Sequence, residues 1–237
     1  MYRALHRVSL TAALLVLTVR ALVGMTAPRV AAASSDDQKL SLLKSRASTE
    51  IDRRLTRLSA LSSTISGAAR LTSGDKSSLQ AEVTSEVNGL TSLKSQIAGD
   101  TDLQTARINA QSVLTDYRVY ALVVPKVWLV RVADDQQAVE NKLNTLSGKL
   151  QTRINEAQNN GKTVTALQNS LNDMQTNTQA AQKISAPVEQ ALLPMQPTDY
   201  NNDHTLLTGY RTKLTTAHND NKAAYSDAKT IVQGLKN

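Results

Sequence analysis

Apolar residues recur every three or four positions through most of the chain after residue 40, which is the spacing of amphipathic helices. Six such stripes follow one another, centred on Leu58, Val83, Val113, Leu143, Leu171 and Leu214. Turn and capping residues separate the stripes, at 73–75, 99–102, 125, 159–161 and 194–203. The one run rich in β-forming residues, 120–130, has Pro125 in its middle, which disfavours a strand. The pattern therefore predicts an all-α fold.

Three local features follow from the same pattern. The third stripe continues unbroken from Leu103 to Val124, so we expect the third helix to reach Pro125. The sequence leaves open whether Pro125 ends that helix or kinks it. We also expect residues 34–39 to lack regular secondary structure. The fifth helix is expected to become irregular near Pro187, because proline removes a backbone hydrogen-bond donor.

The composition favours narrow seams between helices. The chain has no phenylalanine and only 3% aromatic residues, so its interior has to be built from Leu, Val, Ile and Ala. We expect an elongated antiparallel helical bundle or coiled-coil hairpins. Two tandem three-helix units, residues 34–124 and 125–237, are one arrangement, and a single continuous bundle is the other. A Leu-Thr-x-Tyr-Arg element at 114–118 and again at 207–211 favours the tandem arrangement, although a repeat needs more matching positions than these.

The first 33 residues have the layout of a secretory signal peptide. Arg3 and Arg7 precede an apolar run over residues 8–19, and three alanines at 31–33 form a small-residue cleavage signature. The alternative is an uncleaved anchor over residues 8–27, with Arg20 inside it. Four of the 27 basic residues and none of the 20 acidic ones lie before residue 34, so the net charge falls from +7 to +3 without them. We expect a secreted or cell-surface protein that binds no nucleic acid.

No arrangement of reactive residues is recognisable in the remaining sequence. Cysteine is absent, and the glycines form neither a P-loop nor a dinucleotide-binding motif. His204 and His218 are too far apart along one predicted helix to share a metal ion, and His6 belongs to the signal peptide. The pairs Asp36–Asp37 and Asp134–Asp135 have no calcium-loop pattern and are interpreted as charges near helix starts. We therefore predict no catalytic residues, no cofactor and no metal site.

Residues 117–131 are apolar on nearly every side and contain the only tryptophan of the chain. A helix of this kind is buried, or it meets a partner or a membrane surface. One interpretation is a core crossing, and the other is an exposed contact patch. The candidate contact residues for the second interpretation are Tyr117, Tyr120, Lys126, Trp128 and Arg131.

The phrase Tyr-Arg-Val-Tyr-Ala-Leu-Val-Val-Pro-Lys at 117–126, placed between long helices rich in Ala, Thr and Gln, resembles uncharacterised exported all-helical proteins of small-genome candidate-phylum bacteria. The resemblance implies export and a helical fold and transfers no activity. We expect a non-catalytic structural or interaction role with a protein or cell-envelope partner or a second copy of the chain. The alternative is a membrane-active, toxin-like protein that releases the apolar segment 120–130 at a membrane surface.

Overall fold

The computed structural model describes the backbone of residues 29–236 and the side chains of residues 35–236. The described part is all-α, as the apolar periodicity predicted, and contains no strand. Its helices are α1 (Arg29–Gly67), α2 (Ser73–Gly99), α3 (Leu103–Thr115), α4 (Val124–Asn159), α5 (Thr165–Leu192), α6 (Pro197–Asn202) and α7 (Leu206–Lys236), and a π-helical turn (Val119–Val123) precedes α4. Most of the predicted signal peptide, residues 1–28, lies outside the described residues. Within the described range, no helix has the length and apolar character that a membrane crossing requires.

Several helix boundaries are set by the capping residues that the sequence offers. Thr72 caps α2, because its hydroxyl accepts a 3.1 Å hydrogen bond from the backbone N–H of Asp75. Asp102 caps α3 in the same way, and its carboxylate accepts a 2.8 Å bond from the Thr105 N–H. After α4, Gly161 adopts the left-handed conformation that glycine tolerates best, with φ of 82°.

The helices pack in two groups that share one end of α4. The first group consists of α1 against α2 and α3, and the second consists of α4, α5 and α7 against one another. One hydrophobic core joins the two groups and includes Leu58, Leu90, Val127, Leu192 and Leu214. A second core lies between the far ends of α4, α5 and α7 and includes Leu143, Ile154, Leu171, Met174 and Ile231. With its 36 residues, α4 extends about 54 Å and contributes to both cores.

The third helix ends earlier than the sequence pattern indicated. It stops at Thr115, and the chain then turns through Arg118, whose φ of 36° lies in the left-handed region. The π-helical turn follows and runs directly into α4. Pro125 therefore neither ends nor kinks the third helix, because that helix has already ended at Thr115 and Pro125 lies in the first turn of α4.

Three further expectations are corrected. Residues 34–39 are helical and belong to α1, and α5 continues past Pro187 to Leu192 because Val188 and Leu192 are buried in the core beyond the proline. The third concerns the repeated Leu-Thr-x-Tyr-Arg element, whose two copies differ in structure, since Tyr117 follows the end of α3 whereas Tyr210 lies within α7.

The short helix α6 was not predicted from the sequence.

Candidate functional site

The five candidate contact residues lie in different environments. Trp128 is 45% exposed and Tyr120 is 43% exposed, as a contact surface requires. The Arg131 guanidinium lies 4.5 Å from the centre of the Trp128 ring, in a cation–π arrangement. Tyr117 is half-buried, and the Lys126 side chain is fully buried, so Lys126 offers nothing to a partner at the surface.

The apolar segment that contains these residues is mainly a core crossing. Leu122, Val123, Val127 and Val130 are fully buried in the core that joins the two helix groups. The opposite side of α4 remains open to solvent. We define the α4 stripe as Trp128, Val132 and Val139, which are exposed and share one helix face at spacings of four and seven.

Lys126 belongs to a buried ionic cluster between α2, α4 and the end of α5. Its ammonium lies 2.7 Å from Glu82 Oε1 and donates a 2.8 Å hydrogen bond to the Met195 carbonyl oxygen. Glu86, one turn after Glu82, has a buried Oε2 without a hydrogen-bond partner. Burial and the nearby charge of Glu82 raise the pKa of Glu86 to about 8. Burial also raises the pKa of Glu82, although Lys126 opposes that shift.

A second cluster, which we call the carboxylate cluster, consists of Asp75, Asp134 and Glu189. Carboxylate oxygens of all three residues lie within 4.8 Å of one another. Asp75 is 6% exposed and Asp134 is 4% exposed, whereas Glu189 is half-buried. Burial, together with the neighbouring Glu189 and the charge of Asp75, raises the pKa of Asp134 to about 7. Three oxygen-donating side chains thus converge from α2, α4 and α5.

The carboxylate cluster corrects the interpretation of the pair Asp134–Asp135 as charges near a helix start. Asp134 lies in the interior of α4 and is buried, whereas Asp135 is exposed and pairs with Arg70 at 3.2 Å. Sequence reasoning missed the cluster because its three members belong to three separate helices and share no spacing. One feature of the sequence could have indicated its burial. Asp134 follows Val130 by four residues, so the two lie on the same face of α4, and Val130 is buried.

A third polar group lies between α4, α5 and α7. The Ser185 hydroxyl donates a 2.9 Å hydrogen bond to Glu140 Oε2, and Asn221 Nδ2 donates at 3.3 Å to Glu140 Oε1. Gln136 Nε2 donates a 2.7 Å bond to the Leu214 carbonyl. Burial raises the pKa of Glu140. These bonds fix the register of the three helices, because each polar group has its partner on a different helix.

A groove beside the end of α5, α6 and the start of α7 has a volume of about 460 Å³ and is lined mainly by apolar side chains, including Ala191, Met195 and Leu206. Neither of the two acidic clusters lines it. Comparisons of the chain with protein family models, with curated proteins and with solved structures found no match.

Proposed function

We propose that this chain is an exported, extracytoplasmic helical protein with a non-catalytic structural or interaction role. The observation that supports this role is the α4 stripe, in which Trp128 is nearly half exposed beside exposed Val132 and Val139. Aromatic side chains that remain exposed on a rigid helix are typical anchors of protein interfaces. The apolar signal-peptide pattern at the N-terminus supports the compartment.

We also propose that the helices form two three-helix units of antiparallel type, joined through α4. The packing of α1 with α2 and α3, and of α4 with α5 and α7, supports this organisation. The predicted boundary between Val124 and Pro125 falls at the start of α4, with a helical turn immediately before it. The loop at residues 116–118 is the nearest non-helical connection and is the better boundary.

A protein surface fits the α4 stripe better than a lipid surface does. Arg131 and Asp135, of opposite charge, lie on the same side of α4 as Trp128, and a mixed-charge rim is typical of protein interfaces. For the membrane-active alternative, residues such as Val127 and Val130 would have to leave the hydrophobic core before they could reach lipid. We therefore expect a protein partner, which includes a second copy of this chain.

The compartment is tested by fractionating the cells that produce the protein and sequencing its N-terminus in each fraction. A chain that begins near Ser34 in the medium or at the cell surface supports export with cleavage. A chain that retains Met1 in the membrane fraction indicates a tethered extracytoplasmic domain. Recovery of the chain only from the cytosol contradicts the proposal.

The surface is tested by placing a photo-crosslinking amino acid at residue 128 and, as a matched control, at residue 141. Asn141 is exposed on α4 but faces a different direction from the α4 stripe. Discrete crosslinked species at residue 128 alone support the stripe as the interface, and equal crosslinking at both sites contradicts it. A blue shift of Trp128 fluorescence on vesicles of phosphatidylglycerol would favour the membrane alternative instead.

A further inference from the structure

The carboxylate cluster brings together three acids that no cationic side chain in the described part of the chain neutralises. None of Asp75, Asp134 and Glu189 makes an ion pair with Lys, Arg or His among the residues that the structure describes. Arg70 pairs with Asp135, the exposed acid next to Asp134 in the sequence. Three carboxylates within 4.8 Å of one another repel strongly when ionised, and burial increases that repulsion.

Asp134 gives the cluster a second, independent feature. Asp134 is 4% exposed, and its Oδ2 atom is buried and receives no hydrogen bond from a donor group. Its carboxyl lies within hydrogen-bond reach of the Glu189 carboxyl, so these two acids share either a proton or a cation. A buried carboxylate oxygen normally has a hydrogen-bond donor, a proton or a bound cation as its partner. The open bonding position on Asp134 therefore points to a ligand that accepts electron pairs from oxygen.

The other two acids are held in place by neutral donors. The Thr72 hydroxyl donates a hydrogen bond to Asp75 Oδ2, and Gln137 Nε2 donates one to Glu189 Oε2. These bonds orient the carboxylates but supply no positive charge. Oriented acids supported by hydrogen bonds from neighbouring side chains are the arrangement found around metal ions.

We propose that Asp75, Asp134 and Glu189 together bind one hard divalent cation, and that Ca²⁺ fits best. Oxygens on opposite sides of one Ca²⁺ are about 5 Å apart, because Ca–O distances are about 2.3–2.6 Å. The three oxygens lie within 4.8 Å of one another, so one ion of this size can contact all of them. Ca²⁺ accepts the irregular coordination that three carboxylates and water provide, whereas Mg²⁺ requires a near-ideal octahedron. Glu189 is half-buried, so ions and water reach the site from its side.

The cation would join the two helix groups. Asp75 lies in the first turn of α2, whereas Asp134 and Glu189 lie on α4 and α5. Binding therefore stabilises the arrangement in which α2 lies beside α4. The inference rests on the cluster alone and does not depend on the proposed function, so either one can fail without the other.

The test uses the full chain, freed of metal with a chelator, and the ion alone as the probe. Isothermal titration with CaCl₂ should show one site, with a Kd in the range of about 10⁻⁵–10⁻³ M. At a Ca²⁺ concentration about 100-fold above the Kd, the melting temperature should rise by about 5–10 °C. MgCl₂ at the same concentration should produce a smaller rise.

Two variants decide the assignment. Asp134→Asn keeps the size of the side chain but removes its charge, and it should abolish both the heat of binding and the thermal shift. Asp135→Asn removes the adjacent exposed charge and should leave both intact. If Asp134→Asn proves unstable, Glu189→Gln takes its place. No Ca²⁺-dependent shift in the unaltered chain, or an equal loss in Asp135→Asn, overturns the proposal.

Discussion

Lys126 Nζ lies 2.7 Å from Glu82 Oε1, although the Lys126 side chain is fully shielded from solvent. Lys126→Met removes the positive charge and leaves Glu82 with the neighbouring Glu86 in a buried site. Loss of one partner of a buried ion pair costs about 3–5 kcal/mol, so we expect a decrease of that size in the free energy of unfolding. Denaturant unfolding measures it.

The matched control for this prediction is Lys142→Met. Lys142 is an exposed lysine on the same helix, and its replacement should change the free energy of unfolding by no more than about 0.5 kcal/mol. Equal effects of the two substitutions would show that the buried pair has no special stabilising role.

The stability of the chain should depend on pH through Glu86. Its pKa is raised from 4.5 to about 8, so the folded chain binds a proton more tightly than the unfolded chain does. Stability is therefore highest below about pH 4.5 for this group and is lost as the pH rises towards 8, by on the order of a few kcal/mol. Glu82, Lys126 and Tyr117 are the titratable groups that face Glu86.

Comparison of the unaltered chain with Glu86→Gln isolates this effect. The variant cannot ionise at that position, so its free energy of unfolding should fall less between about pH 5 and about pH 9. Guanidinium unfolding at several pH values provides the measurement. Parallel pH profiles for the two proteins would exclude Glu86 as the source.

The helices themselves could be predicted from sequence because their determinants are local. Repetition of apolar residues every three or four positions identified the stripes through Leu58, Leu143 and Leu171, all of which are buried. The cap at Asp102 was likewise visible, because a capping side chain bonds to a backbone N–H only three residues away. The cap of α2 is Thr72, one residue before the predicted positions 73–75, which are helical.

The early end of α3 could not be predicted, because residues far along the chain determine it. The apolar stripe continues past Thr115, yet Asn201 on α6 contacts Thr115 and Arg118, more than 80 residues earlier. The carboxylate cluster was hidden for the same reason, since Asp75 and Glu189 meet Asp134 only through tertiary packing. The spacing of apolar residues along the sequence does not predict contacts between residues that are far apart in the chain.

Gly89 is expected to tolerate no larger side chain. A Cβ atom at this position would lie 2.5 Å from Tyr117 Cε1 and 2.7 Å from its hydroxyl oxygen, so the half-buried ring would have to move. Gly89→Ala should therefore lower the free energy of unfolding by about 1–3 kcal/mol. Thermal and denaturant unfolding measure the change.

The control is Gly148→Ala, because a Cβ atom at Gly148 meets nothing within 4 Å. Gly148 is a helical residue of α4, and alanine is favoured over glycine in a helix by roughly 0.5–1 kcal/mol. This second substitution should stabilise the chain. The same sign for both substitutions would contradict the close approach of Tyr117 to Gly89.

Asn201 should stabilise the left-handed turn before α4. It accepts a 2.6 Å hydrogen bond from Arg118 Nε and donates a 3.0 Å bond to the Thr115 carbonyl at the end of α3. A left-handed conformation costs an arginine about 1–2 kcal/mol, and these bonds offset that cost. Asn201→Ala should lower the free energy of unfolding by about 1–3 kcal/mol, measured by denaturant unfolding, whereas the exposed neighbour substitution Asn202→Ala should change it little. A neutral Asn201→Ala would mean that the core around Val119 alone maintains the turn.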